Sequence, residues 1–364
     1  MLPIESSIRP SHPALQRLVA AGQSLWLDTI TRELLASGRL QRYIDDLGIT
    51  GVTSNPSIFD HAFKTSAAYD TAIAEGLRDR KSPEQVFLEL ALEDIGRAAD
   101  ILRPTHARSS GVDGWVSIEV SPLLARDAPS TLAAATDLHR RAGRPNILIK
   151  IPGTPEGLPA VEDAIFAGVP VNVTLLFSPD QYAAAADAYL RGIERRMRAG
   201  LNPNVGSVAS LFISRWDVAI AGRVAPAVTN TLGIAIAARA YRAYTALLAS
   251  PRWLRAFNGG ARPQRLLFAS TGTKDPHAPA TLYAGALGAP LTIDTLPEAT
   301  LHALAAQDGV GPPATLADGA ADAVFSELSK AGIDVDRLAA KLQDDGAAAF
   351  VASWSELLAV IASK

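Results

Sequence analysis

Short apolar runs of β character alternate along the chain with longer stretches whose apolar residues recur at helical spacing. Eight such runs stand in order: Ser24–Asp28, Gly51–Asn55, Val116–Val120, Ile147–Ile151, Val171–Phe177, Ser207–Ile213, Arg265–Ser270 and Pro290–Thr295. The stretches between them carry helix signals. Ser82-Pro83-Glu84-Gln85 offers an N-cap, a proline at the first helical position and a Gln to close a capping box. Val86, Leu88, Leu90, Leu92, Ile95 and Ile101 extend that pattern into a long helix. Ser178-Pro179-Asp180-Gln181 repeats the grammar before an Ala-rich helix reaching about Arg198, and Gly200, Gly259-Gly260 and Gly288 mark ends.

Strand then helix, eight times over, predicts parallel strands joined by crossover helices. Eight units are what an α/β (β/α)8 TIM barrel requires. A doubly wound open sheet is the runner-up, and six or seven strands suit it better. A barrel takes about 250 residues, and this chain has 364. The excess falls in a helix at about Pro10–Ala20, in the connection Pro56–Gly114 and in helices after Pro297. No low-complexity linker divides the chain. The expectation is one barrel domain over 1–364, with helical additions at about 56–114 and 298–364.

Polar residues interrupt these strands where apolar ones are expected. Asp28 and Asn55 end the first two runs. Glu119 stands in the third, Lys150 in the fourth, Asn172 and Thr174 in the fifth. Ser210 stands in the sixth, which leads into Arg215, and Ser270 ends the seventh with Lys274 close behind. In a barrel the C-terminal strand ends converge on one face, and that face carries the chemistry. Asp28 or Asn55 alone reads as a helix cap. Glu119 and Lys150 are flanked by apolar residues within their strands and do not. The chain has seven Lys against 27 Arg, and only Lys150 lies inside an apolar strand. A buried ammonium is costly, and an amine relieved of its proton attacks carbonyls to form a Schiff base. A structural ion pair with Glu119 is the competing reading, and the residue alone leaves the two even.

Schiff-base aldol chemistry needs acid/base groups, for which Asp28 and Glu119 are available. It needs neutral partners for a polyhydroxy substrate, which Asn55, Asn172, Thr174 and Ser210 supply. A phosphate ester needs an anion site, for which Arg215, Ser270 and Lys274 are candidates. Arg215 as a surface residue of the following helix and Lys274 as a loop charge are the plainer alternatives.

Composition narrows the class. Apolar residues make up 48%, charged residues 20%, and the net charge is −3, so no basic excess points to nucleic acid. No Cys is present, which removes disulfides, thiolate metal sites and Cys nucleophiles. The six His show no metal-ligand spacing, and no Gly-rich phosphate loop follows a strand. Neither metal nor cofactor is expected. The stretch Val228–Ala240 is interrupted by polar residues and reads as a buried helix. The N-terminus shows no basic segment followed by an apolar one. A cytoplasmic enzyme without membrane or nucleic-acid partners is the expectation.

The motifs resemble a known family. DT at 28–29, TSNPSIF at 53–59, VSIEVSPLLARD at 116–127, NILIKIPGTPEGLPAVE at 146–162, VNVTLLFSPDQY at 171–182 and SLFISRWD at 210–217 resemble the transaldolases. ASTGTKDP at 269–276 and IDTLPEATL at 293–301 extend the likeness. The longer connections resemble the bacterial branch found alone or fused to a sugar-phosphate isomerase. The resemblance implies a class I aldolase barrel and a cofactor-free mechanism. Lys150 would form a Schiff base with sedoheptulose 7-phosphate or fructose 6-phosphate. Asp28 would take the C4 hydroxyl proton. Glu119, through a water held near Thr174, would serve carbinolamine formation and loss. Asn55 and Asn172 would hold the dihydroxyacetone fragment, with Ser210 in the same wall, and Arg215 and Ser270 would clamp phosphate. An aldose phosphate would accept the unit, in the pentose phosphate pathway, on a monomer or homodimer. Some relatives carry an Arg two residues after the Ser matching Ser270. Here Gly272 stands there, and Lys274 is expected to take its part. Phe212 near the site positions no water, which favours transfer over the alternative of a phosphosugar aldolase that releases dihydroxyacetone; ordinary core is the plainer reading of the same residue. A non-catalytic phosphosugar-binding barrel is the lesser alternative.

Overall fold

Each of the eight runs overlaps a strand in the computed structural model, which describes residues 10–307 and 320–364. The strands are β1 (Ser24–Leu27), β2 (Ile49–Val52), β3 (Trp115–Glu119), β4 (Ile147–Pro152), β5 (Val171–Leu176), β6 (Ser207–Phe212), β7 (Gln264–Ala269) and β8 (Ile293–Leu296). They close into a parallel barrel in sequence order. Ser24 to Leu27 of β1 pair in register with Ile293 to Leu296 of β8, which shuts the cylinder. The open sheet is thereby excluded. The extreme N-terminus and residues 308–319 of the C-terminal addition lie outside the described residues.

The strand ends differ most at β2. The run was read as Gly51–Asn55, whereas the strand is Ile49–Val52. Gly48 in the left-handed region (φ 72) ends the preceding helix and lets the strand start at once. Pro56 then holds Asn55 extended (φ −157, ψ 162) and opens the helix Pro56–Thr65. The eighth strand likewise begins later than expected, at Ile293.

The bottom of the barrel is plugged. Trp26 lies across Gly51, where an added Cβ would come within 2.4 Å of the indole. Arg265 and Asp113 form a buried ion pair at 3.0 Å, with Ser24 and the Trp26 indole N–H also bonded to Asp113. Such a network at the N-terminal face fixes the fold.

The connection between β2 and β3 folds into the helices Pro56–Thr65, Asp70–Arg78 and Pro83–Arg108, the last with the expected capping box. The C-terminal addition includes the helix Val335–Ser363. Among the described helices, this one is long and apolar enough to cross a membrane. Here it lies against the barrel and buries Leu342, Trp354, Leu357 and Ile361. Trp354 meets the Phe87 ring edge-on at 5.0 Å, and Phe87 continues to Phe59 and Phe63. The two additions therefore brace one another through an aromatic cluster at the C-terminal face of the barrel.

Candidate active site

Alternation along a strand sends every second side chain inward, and near the C-terminal ends these converge on a cavity of about 760 Å³. Asp28, Asn55, Lys150, Ser210, Phe212, Arg215, Ser270 and Lys274 all line it. Glu119, Asn172 and Thr174 do not. They are buried in the barrel wall next to Lys150, whose Cα pairs with Glu119 on one side and Asn172 on the other.

Lys150 is 5% exposed. Its Nζ donates a 2.8 Å hydrogen bond to the Ser54 carbonyl oxygen. No carboxylate stands within 4.0 Å of it among the described residues. The ion pair with Glu119 entertained from the sequence is thus not formed. Glu119 instead takes its hydrogen bond from the Ser54 hydroxyl, 3.0 Å from Oε2. Among the described residues its Oε1 is buried without a partner, and so is the Thr174 hydroxyl on the far side of Lys150. Burial pushes the Glu119 carboxyl above its ordinary range, against the pull of Lys150 and Ser54.

Asp28 follows β1 and lines the cavity. Thr53 donates to its Oδ1 at 2.9 Å and lies 2.6 Å from the Thr295 hydroxyl. Burial raises its pKa, with Lys150 and the Thr53 hydrogen bond opposing. Ser210 donates to Asn172 Oδ1 at 2.7 Å, and the Asn172 amide donates to Ser117 at 3.1 Å, so that amide has a fixed orientation. Asn55 does cap a helix: its Oδ1 accepts from the Ile58 N–H at 3.1 Å. The same residue lines the cavity.

Besides Lys150 the cavity carries further positive charge on Arg215 and Lys274. Arg215 is half-buried, forms no ion pair among the described residues and lies with its guanidinium 5.8 Å from the centre of the Phe212 ring. Burial lowers its pKa while Asp345 opposes the shift; an arginine stays protonated regardless. Ser270 holds a left-handed backbone (φ 56), an uncommon conformation for serine. Its hydroxyl lies 2.9 Å from that of Ser214. Lys274 is exposed and lines both this cavity and a neighbouring one of about 360 Å³. Two cations that line one cavity and form no ion pair among the described residues suit an anionic ligand. Among the described residues, no three His, Asp or Glu are grouped to hold a metal ion.

The family model described as Transaldolase/Fructose-6-phosphate aldolase matches residues 25–361. The chain belongs to this family. A transaldolase of Thermobifida fusca (strain YX) is 42% identical over 359 residues, 96% of this chain and 98% of that protein. A transaldolase of Mycolicibacterium paratuberculosis is 42% identical over 95% of this chain and 96% of its own. A transaldolase of Thiobacillus denitrificans is 42% identical over 93% and 97%.

Within this transaldolase-family barrel the cavity also includes residues that strand-end polarity did not single out. Thr53 and Thr295 line it, but Thr is an ordinary strand residue and gave no signal. Ser54 supplies the carbonyl that Lys150 bonds, a backbone contribution no side-chain pattern reveals. Leu342, Asp345 and Phe350 come from the C-terminal helix. The Ala-rich sequence around them reads as packing, and packing is also what the helix does.

Proposed function

We propose that this chain is a transaldolase that moves a dihydroxyacetone unit from a ketose phosphate to an aldose phosphate through a Schiff base on Lys150. The observation that carries this reading is the state of Lys150. Its amine is buried at the cavity, bound to a carbonyl oxygen and not to a carboxylate. A lysine kept for stability would be neutralised by a partner; a nucleophile needs an open approach and nearby proton carriers.

The surrounding groups have places in that chemistry. The neutral amine adds to the ketose C2 carbonyl. Loss of water gives the Schiff base and needs a proton carrier, which is Glu119. Its free Oε1 and the free Thr174 hydroxyl flank Lys150 and suit a bridging water. Asp28 takes the C4 hydroxyl proton as the C3–C4 bond breaks, and its raised pKa makes it the stronger base. Asn55, Asn172 and Ser210 hold the three-carbon fragment. Phe212 offers that fragment an apolar wall. Arg215, Ser270 and Lys274 take the phosphate, with Lys274 in place of an Arg at Gly272. A side chain at 272 would come within 3.1 Å of Pro297, so the position itself is tight.

The substrates are taken to be sedoheptulose 7-phosphate or fructose 6-phosphate as donor, in the pentose phosphate pathway. One barrel domain suffices, working in the cytoplasm as a monomer or homodimer without cofactor, nucleic acid or membrane. The test is product analysis. Fructose 6-phosphate with a four-carbon aldose phosphate gives a seven-carbon ketose phosphate and a three-carbon aldose phosphate, and Lys150→Ala forms neither. Transfer retained by a folded Lys150→Ala protein would contradict the reading.

A further inference from the structure

The C-terminal helix is fastened at the active site by its own side chains. The Gln343 amide donates to two backbone carbonyls, Gly153 at 3.1 Å and Leu175 at 2.9 Å. These residues follow Lys150 on β4 and Thr174 on β5. Leu175 is itself in the left-handed region (φ 62). One turn on, Gly346 lets the helix approach closely: an added Cβ would lie 3.0 Å from Leu175 and 3.4 Å from Phe177. Another turn on, Phe350 reaches the cavity. The centre of its ring lies 5.9 Å from Lys150 Nζ. Phe350 and Phe212 thus bring two aromatic rings, from opposite parts of the chain, to the cavity that holds the nucleophile.

We propose that Phe350, held over Lys150 by the Gln343 anchor, keeps proton donors from the covalent three-carbon intermediate and so commits it to transfer. The inference rests on the Schiff-base reading given above. After C3–C4 cleavage the Lys150 nitrogen is bonded to C2 of an enamine, and Asp28 holds the proton from the former C4 hydroxyl. In transfer, enamine C3 attacks the acceptor aldehyde carbon, and the aldehyde oxygen takes the proton from Asp28. The resulting iminium then adds water at C2, the C2–N bond breaks, and ketose and amine separate. In release, C3 instead takes a proton from water, Asp28 returns its proton to the hydroxide so left, water adds at C2, the C2–N bond breaks, and free dihydroxyacetone leaves the Lys150 amine. The routes part at C3, where one needs a carbon electrophile and the other a proton. A phenyl ring has no proton to give and displaces water that has. The same ring face favours the cationic iminium over bare solvent.

Two variants test this, Phe350→Ala and Phe350→Leu, each incubated with fructose 6-phosphate with and without aldose phosphate acceptor. Borohydride trapping of the Lys150 adduct runs alongside. Phe350→Ala should still trap, yet release dihydroxyacetone at least about threefold faster relative to transfer. Phe350→Leu, which keeps an apolar cover, should lie nearer the parent and serves if the Ala variant does not fold. An unchanged ratio of release to transfer in a variant that traps normally overturns the proposal, as does an equal fall in both products. Failure of the parent protein to trap would instead strike the Schiff-base reading, and this inference with it.

Discussion

Lys150 and Asp294 are both buried ionisable groups in apolar strands, and the difference between them separates function from cost. Lys150 opens on a cavity with carboxyls and hydroxyls around it. Asp294, on β8, pairs in register with Leu25 and Phe268 and faces the layer between strands and helices. It is fully buried and neither carboxyl oxygen has a hydrogen-bond partner, since the Thr271 hydroxyl is turned to the Thr295 carbonyl at 3.1 Å. Burial pushes its pKa up to about 7 from the usual 3.8. Below the unfolded value the carboxyl is protonated in both states and costs nothing. As pH rises from the unfolded value to the folded one, the unfolded state ionises while the folded state resists, and stability is lost until the folded value is passed. Asp294→Asn is therefore expected to gain roughly 1–4 kcal/mol at about pH 8 and nothing below about pH 4. Chemical denaturation at both pH values measures it. A gain independent of pH would show that the charge is not the cause. Asp294, beside Ile293 and Thr295, is like Glu119 and Lys150 a charged residue inside a strand, so that feature finds buried charge without telling its use.

At the scale of elements, the strands and their capping boxes were legible because their rules are local. Ser82 with Gln85 and Ser178 with Gln181 form both reciprocal bonds. The β2 boundary was misread because Gly51 reads as a strand start, when its role is to leave room for Trp26. The C-terminal helix was legible as a helix, but its path across the cavity depends on contacts made far away in sequence. Gln343 fixes that path. Gln343→Ala leaves the Gly153 and Leu175 carbonyls buried and unpaired, at a cost of about 1–3 kcal/mol. Amide hydrogen exchange should quicken across Val335–Ser363 and at the ends of β4 and β5, with the barrel bottom unaffected. Exchange quickened evenly throughout would mean that the anchor serves global stability alone.

Over the whole molecule the barrel buries polar groups at both ends, but only the top opens on the cavity that Lys150 lines. At the bottom, Arg265, Asp113, Ser24 and Trp26 satisfy one another in a closed network. At the top, Glu119 Oε1 and the Thr174 hydroxyl lack protein partners, and Arg215 lacks an ion pair among the described residues. Unpartnered acceptors also stand at the bottom, on Gln23, Asn146 and Gln264, so the ligand is located by the cavity that Lys150, Asp28 and Arg215 line. Everything in the account depends on what Lys150 does there. The most direct measurement is to incubate the protein with fructose 6-phosphate and borohydride and map the adduct by mass spectrometry. A Schiff base on Lys150 gives a stable mass increase of the reduced substrate-derived unit there, absent in Lys150→Ala. Substrate that binds without any such adduct on Lys150 would contradict it.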